Sequence, residues 1–310
     1  MCRLAAVLAP LAALAAAAMP PALGAPIPRS PAAGYHLTQR DGVMLYNRRL
    51  RADRYRLVAR RGAGRAHDVG VPDQAQPFLP DLGADARGRT IAVYPRGLRL
   101  VVLDLATGAE RTAATTPTVA RAIAIDRGRI AYATIGAHAS TIWSVPADSS
   151  AAPRRAIVVG GTVVALDRGP HGLAYVVEDD HMGDDAHTRR SITFRARTIA
   201  VAGWGEEGGA DIVSVGFAGI DLVWGISGRR PDVSNYGTVE RLNLRTGHRW
   251  TLSVPGGGLI AAAPDSARAT APTLLAFEPG TPEPGYGPDP DHAVLRRFPA
   301  TAFARRHAAP

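Results

Sequence analysis

Along this chain, one apolar pattern returns six times. A run of small or branched apolar residues ends in an aromatic side chain, and the aromatic positions are 48, 38, 43, 49 and 53 residues apart. Repeats of about 40–50 residues that contain several short strands are typical of a β-propeller. The six aromatic residues, one for each predicted blade, are Tyr46, Tyr94, Tyr132, Tyr175, Trp224 and Phe277. We expect them to be core residues rather than site residues.

Period-2 alternation continues after each aromatic residue and indicates further strands. Segments 103–108 and 242–247 are near copies that end in a Thr-Gly turn. The sequence therefore predicts an all-β fold, a single β-propeller of six blades with four antiparallel strands each. The predicted blades cover about 35–74, 78–116, 117–160, 161–204, 210–256 and 258–307.

Three aspartates recur at a fixed interval. Asp85, Asp126 and Asp167 are 41 residues apart, each close to a glycine. Aspartate caps tight turns and glycine supplies the positive φ that such turns require. We interpret the three as turn residues in preference to a catalytic set.

The first 25 residues have the order of a secretory signal peptide. Arg3 precedes the apolar stretch 4–19, and a small-residue segment follows at 22–25. A membrane anchor is the alternative, but the stretch is shorter than the ~20 residues that span a bilayer. The predicted division is a signal peptide at 1–25, a lead-in segment at 26–34 and the propeller domain at 35–307. We expect a secreted or cell-envelope bacterial protein with no transmembrane segment in the mature chain.

Composition adds little about partners. The formal net charge is +9, and all 36 basic residues are arginine, as a GC-rich genome produces. We therefore expect no nucleic acid partner. We interpret the arginine-rich segment 48–65 as a solvated strand face, and contact with cell-wall polymers, lipid headgroups or nucleic acid phosphates is the alternative. The single cysteine, Cys2, lies in the predicted signal peptide, so the mature chain has no disulfide.

Long connections in the last three repeats are the best candidates for a binding surface. In a propeller, loops between the second and third strands open on the same face as loops between blades, and long loops are often functional. The candidate binding residues on these loops are Asp179, Asp180, His181, Asp184, Asp185, Trp204, Glu206, Glu207, Arg229, Arg230, Tyr236 and Tyr286.

One of these loops is also a candidate metal site. Segment 178–187 offers carboxylates for Ca²⁺ and two histidines, His181 and His187, for a transition metal, but the spacing matches no complete ligand set. The prediction is no cofactor, with calcium or another divalent metal as the alternative. Segment 203–208 matches Gly-x-Gly-x-x-Gly without a following helix, which excludes dinucleotide binding. No catalytic residue is predicted, since the chain lacks Gly-x-Ser-x-Gly and His-Glu-x-x-His.

The Asp-x-Gly turns, the aromatic-ended strands and the segment 103–108 resemble the TolB-like family of bacterial six-bladed propellers and WD-type repeats. That resemblance implies binding to other proteins or to envelope components. The leading hypothesis is an exported, non-catalytic, monomeric scaffold that binds a protein or a cell-envelope polymer. The alternatives are a lactonase- or glycosidase-like hydrolase or lyase with a metal at the central channel, and a sensor for a small sugar or peptidoglycan fragment.

Overall fold

The structure is a computed structural model. It describes residues 36–50, 54–62, 64–181, 187–205, 208–229, 235–254, 259–265, 273–277, 293–297 and 304–305. The predicted signal peptide and lead-in segment lie outside these residues. No helix long and apolar enough to cross a membrane occurs in the described ranges.

Each of the first three repeats folds into one four-stranded antiparallel sheet, with the strands in chain order from the centre outward. Blade 1 contains β1 (Leu37–Arg40), β2 (Val43–Leu50), β3 (Arg54–Arg61) and β4 (His67–Asp68). Blade 2 contains β5 (Asp81–Ala84), β6 (Thr90–Arg96), β7 (Arg99–Asp104) and β8 (Glu110–Thr115). Blade 3 contains β9 (Ala122–Asp126), β10 (Arg129–Ile135), β11 (Ala139–Pro146) and β12 (Arg154–Gly160).

The next two repeats form four-stranded units that are joined to each other. Blade 4 contains β13 (Thr162–Gly169), β14 (Gly172–His181), β15 (His187–Phe194) and β16 (Arg197–Gly205). Blade 5 contains β17 (Gly208–Ala218), β18 (Asp221–Arg229), β19 (Asn235–Asn243) and β20 (Arg249–Val254). The remaining strands are β21 (Leu259–Ala263), β22 (Thr273–Phe277), β23 (Ala293–Arg297) and β24 (Ala304–Arg305).

The prediction of six four-stranded blades is wrong in its count, because the described residues form five. The last repeat forms a three-stranded sheet, β21–β22–β23, which we call the sixth sheet. Its expected fourth strand, β24, pairs instead with β20 at the outer edge of blade 5. The free edge of β20 thus accepts the segment that would have completed the sixth sheet.

The innermost strands form a closed ring. β1, β5, β9, β13, β17 and β21 each contact the next, and β21 also contacts β1. Four antiparallel strands in a unit return the chain to the face where it started, so the inner strands all run in the same direction. Among the described residues, no continuous backbone ladder pairs one inner strand with the next, although β13 and β17 belong to one sheet through the β16–β17 pairing.

Side chains join the seams instead. At each of the six junctions, a side-chain oxygen accepts a hydrogen bond from a backbone N–H of the next unit, and we call these side chains latches. In ring order, the acceptor and donor atoms are Thr38 Oγ1 and Leu82 N (3.1 Å), Asp81 Oδ2 and Ile125 N (2.6 Å), Ser140 Oγ and Val163 N (2.9 Å), Asp167 Oδ2 and Phe217 N (2.6 Å), Ser214 Oγ and Ala262 N (2.9 Å), and Asp265 Oδ2 and Gly42 N (2.8 Å).

The repeated aromatic residues are core anchors on the second strands, as predicted. Tyr46, Tyr94, Tyr132 and Trp224 are fully buried, and Tyr175 is nearly so. The side chain of Phe277 lies outside the described residues. Full burial of such rings makes them major contributors to packing between neighbouring sheets.

The aspartates predicted to cap turns do not all do so. Asp104 accepts hydrogen bonds from the N–H groups of Ala106 and Thr107, and Gly108 follows with a φ of 73°. Asp85 likewise caps its own turn through the N–H groups at 87 and 89. The turn interpretation is wrong for Asp167, whose carboxylate accepts a hydrogen bond from the N–H of Phe217 in the next blade. Asp167 lies within β13, which continues to Gly169 before the chain turns.

Closure of the ring depends on Asp265, which is 2% exposed and accepts hydrogen bonds from the N–H groups of Asp41 and Gly42 at 2.8 Å each. We expect Asp265→Ala to lower the free energy of unfolding by about 3 kcal/mol, because two partly buried donors lose a charged acceptor. Asp265→Asn should lower the free energy of unfolding by less, since its amide oxygen still accepts a hydrogen bond from a backbone N–H. Urea unfolding followed by tryptophan fluorescence measures both.

The control is Asp148→Ala, at an exposed position, which should cost under about 1 kcal/mol. Equal stability of Asp265→Ala and wild type would show that ring closure does not depend on this latch.

Candidate functional site

The described positions of the predicted binding surface lie at one edge of blades 4 and 5. Antiparallel pairing places Asp179 opposite Arg189, and Arg189 opposite Gly203. On the next ladder, Trp204 pairs with Gly209. We call this edge, with backbone positions 179–181, 187–189, 203–205, 208–209, 228–229 and 235–236, the hairpin edge.

Two pairings make the hairpin edge continuous across the blades. The β16–β17 ladder joins blade 4 to blade 5, so β13 to β20 belong to one sheet together with β24. On blade 5, Gly209 pairs with Arg229, which in turn pairs with Asn235. The backbone therefore brings the predicted positions 179–181, 204, 229 and 236 to neighbouring strand ends.

Side chains are described for two of the predicted site residues. Asp179 is exposed and Tyr236 is half-buried. The ring of Tyr236 lies over Gly228, where a Cβ would come within 2.4 Å of its Cζ. Asp180, His181, Trp204 and Arg229 are placed by backbone pairing alone, and the predicted residues outside the described ranges are Asp184, Asp185, Glu206, Glu207, Arg230 and Tyr286.

An ion-pair network supports the hairpin edge from below. The Arg190 guanidinium bonds the Glu178 carboxylate at 2.6 Å and lies 3.6 Å from Asp211 Oδ2. It also donates to the carbonyl oxygen of Ile212 at 3.3 Å. These contacts tie β15 to the inner strand β17, which fixes the strand ends above them.

Two arginines of the arginine-rich segment of blade 1, Arg48 and Arg56, are ion-paired. The Arg56 guanidinium contacts both carboxylate oxygens of Asp73 at 2.8 Å and Asp68 at 2.9 Å, and Arg48 lies 3.5 Å from Asp68. Arg60 is buried. The interpretation as a wholly solvated strand face is therefore wrong, because acidic residues of the outer strand and the following loop neutralise part of it.

The centre of the ring holds a cavity of about 120 Å³. Its lining comes from all six inner strands or the residues that flank them, and it includes His36, Gln39, Asp81, Arg121 and Asp167. Neither aspartate was predicted from the sequence to line the channel. Asp81 follows a proline at the start of a strand, and Asp167 repeats the interval of a turn residue. Neither pattern is typical of a residue that lines a channel.

Both channel aspartates already have hydrogen-bond donors. Asp81 accepts from Thr38 Oγ1 at 2.9 Å and from the N–H of Ile125 at 2.6 Å. Asp167 accepts from the N–H groups of Arg168 and Phe217 at 2.7 and 2.6 Å. Each carboxyl oxygen therefore has a structural donor before any ligand is considered.

Burial raises the pKa of Asp81 to about 7, because the charged form loses its hydration; the hydrogen bonds from Ile125 and Thr38 oppose this effect. Burial also raises the pKa of Asp167 well above its usual range, and the charge of Asp81 adds to the effect. Burial lowers the pKa of His36 to about 4. The channel interior therefore favours neutral side chains at neutral pH.

A channel metal would require several ligands that converge on one ion. Among the described residues, no group of three His, Cys, Asp or Glu side chains is placed to hold one. The pair Asp81 and Asp167, already bonded to backbone N–H groups, does not make such a set. The residues described at the channel therefore do not fit the metal of the hydrolase alternative.

No family model and no curated protein matches this chain. Among solved structures, it is similar to regucalcin, a calcium-binding protein from Agrobacterium tumefaciens, with a TM-score of 0.52 and 16% identity over 89% of this chain and 92% of that one. It is also similar to TolB from Acinetobacter baumannii, with a TM-score of 0.49 and 12% identity over 83% of this chain and 64% of that one. At these identities the similarity shows the fold alone, which is a β-propeller with four-stranded antiparallel blades.

The buried channel carboxyls should make stability depend on pH. The pKa of Asp81 is about 7 in the folded protein and about 3.9 in an unfolded chain, so its contribution is fully present below pH 4 and is lost as pH rises through 7. We expect the stability of wild type relative to Asp81→Asn to fall by about 3 kcal/mol from pH 4 to pH 8. Urea unfolding at a series of pH values measures this difference.

His36 has the opposite effect on stability. Because its pKa is lowered in the folded protein, the unfolded chain binds the proton more tightly, and stability falls as pH decreases below about 6.5. Subtracting the Asp81→Asn curve removes this shared contribution. A difference that stays constant with pH would mean that Asp81 is ionised throughout, and would contradict the prediction.

Proposed function

We propose that this protein is an exported, non-catalytic β-propeller that binds a protein or another cell-envelope component through the hairpin edge. The observation that carries the proposal is the continuous ladder across blades 4 and 5, which brings together strand ends that are far apart in sequence. Loops on a rigid scaffold are the usual position of binding residues.

The chemistry of the hairpin edge supports recognition of a partner with basic and apolar groups. Asp179 presents an exposed carboxylate, and acidic residues continue along the sequence at Asp180, Asp184 and Asp185. Tyr236 offers a half-buried ring with a polar end. Aromatic anchors surrounded by charged groups are typical of protein interfaces.

The channel chemistry favours binding over the hydrolase or lyase alternative. A catalytic acid or base must reach a substrate, whereas Asp81 and Asp167 bond backbone N–H groups of neighbouring blades. A cavity of about 120 Å³ is also small beside typical ligand pockets of about 300–1,000 Å³. We further propose a TolB-like relationship, secretion directed by residues 1–25, and a monomeric state.

Site-specific photo-crosslinking tests the proposal. A photo-reactive residue in place of Asp179 should yield a discrete adduct when the purified protein is mixed with the envelope fraction of its source cells. Asp179→Lys combined with Asp180→Lys should reduce the retained partner by about tenfold, because charge reversal opposes a basic partner. Immunoblotting and mass spectrometry of the adduct measure both effects.

The matched control is position 245, because Arg245 is exposed on a turn at the opposite end of blade 5. A crosslinker there should yield no such adduct. Equal adducts from both positions, or turnover of lactone or glycoside substrates by the purified protein, would contradict the proposal.

A further inference from the structure

The outermost strands of the five blades differ in how their free edges are covered. β4 has two residues, and β20 pairs with β24. In β8, the carbonyl oxygen of Thr112 accepts a hydrogen bond from Ser149 Oγ at 3.0 Å. β16 pairs with β17 at one end, and its Ile199 carbonyl oxygen accepts a hydrogen bond from Arg249 Nη2 at 3.0 Å. Four of the five outer strands are therefore short, paired or capped by a side chain.

The outer strand of blade 3, β12, has no such cover. It is the last strand of its sheet, and among the described residues the backbone of 154–160 bonds only to β11. The strand is seven residues long and contains neither proline nor an acidic residue. A long edge of this kind leaves a row of backbone N–H and C=O groups open to another strand.

The side chains of β12 make this edge apolar. Ile157 and Val159 are half-buried and pack against the core between blades 3 and 4, which holds the strand in place. Val158 alternates to the opposite face and is 57% exposed, more than any other large apolar side chain of the described residues. Three successive β-branched residues favour strand pairing. Their pairing with β11 is regular up to Gly160, and the bulge falls at Ala156.

Two arginines give the other end of the edge a positive charge. Arg154 and Arg155 are exposed, and no carboxylate of the described residues pairs with either. Asp148, in the preceding turn, instead accepts a hydrogen bond from the N–H of Ser150 at 3.0 Å. Because β12 has no acidic residue, a second copy of this strand would leave both arginines unpaired. The charge therefore favours an acidic partner over self-association.

We propose that the outer edge of β12 binds an extended segment of a partner protein, which adds a fifth antiparallel strand to blade 3. Its β-branched residues would lie beside Val158, and its acidic residues beside Arg154 and Arg155. The pairings within blade 3 are all antiparallel, so the segment would place its carboxyl-terminal end beside Arg154. Main-chain hydrogen bonds give such a strand its affinity, and alternate side chains give it specificity.

A synthetic peptide is the probe. It is a capped peptide of about seven residues, the length of β12, in which valine and threonine alternate and two glutamates follow at the carboxyl-terminal end. Fluorescence anisotropy of the labelled peptide should show saturable binding to the wild-type protein. Amide hydrogen exchange should slow along β12 when the peptide is present, because the added strand protects outward-facing N–H groups.

Two variants separate the contributions of the edge. Val158→Lys should weaken peptide binding by about tenfold, because lysine on an exposed edge opposes the approach of another strand. Arg155→Gln should weaken it by about threefold, the size expected for an exposed ion pair. The same peptide with its residues in reverse order should also bind less tightly than the original, because an antiparallel approach then places the glutamates beside Gly160.

Val201→Lys is the matched control, because Val201 is 46% exposed on β16, the outer strand whose edge is capped. It should bind the peptide as wild type does. Equal binding by Val158→Lys and wild type, equal protection of β12 and β16, or dimerisation through β12 without peptide in sedimentation velocity would each overturn the proposal. The peptide test uses no envelope material, so its failure is distinct from failure of crosslinking at the hairpin edge.

Discussion

The structure depends on one constraint at the seams of the ring. Inner strands that all run in one direction do not pair with one another along a backbone ladder, even where two of them, β13 and β17, belong to one sheet. The fold meets this constraint with one oxygen-bearing side chain at each junction, from a short hydroxyl at Thr38 or Ser214 to a full carboxylate at Asp265. Each latch satisfies a backbone N–H that would otherwise be buried without an acceptor.

Carboxylate latches have an electrostatic cost, and that cost explains why the carboxyl groups of the channel have raised pKa values. Asp81 and Asp167 are close enough for their charges to interact, and both are half-buried at the channel. The protein accommodates two such groups by raising their pKa values, which makes the neutral forms available near neutral pH. Perturbed carboxyl groups in a cavity are often catalytic. In this ring the raised pKa values belong to carboxyl groups that bond backbone N–H groups of neighbouring blades.

The sequence predicts what is periodic and misses what depends on a distant partner. Burial of Tyr46, Tyr94 and Trp224 follows from spacing alone, since each repeat must pack its second strand in the same way. Asp167 keeps the interval of Asp85 yet bonds a different blade, and no local pattern shows which backbone N–H will lie opposite. The pairing of β24 with β20 was missed for the same reason, because any free strand edge is an acceptable partner. The candidate residues of the hairpin edge were selected by loop length, which is a local property, and their role in binding stays a prediction.

The nine-stranded sheet that spans blades 4 and 5 has a mechanical consequence. The β16–β17 pairing binds these blades along a shared ladder, whereas the ring closes between the sixth sheet and blade 1 through one isolated backbone bridge, Gln39 to Asp265, and the carboxylate of Asp265. Resistance to separation is therefore uneven around the circle. A force on the ring, from a bound molecule or from the ends of the chain, acts first on the closing seam. Blades 4 and 5 then move together as one rigid unit.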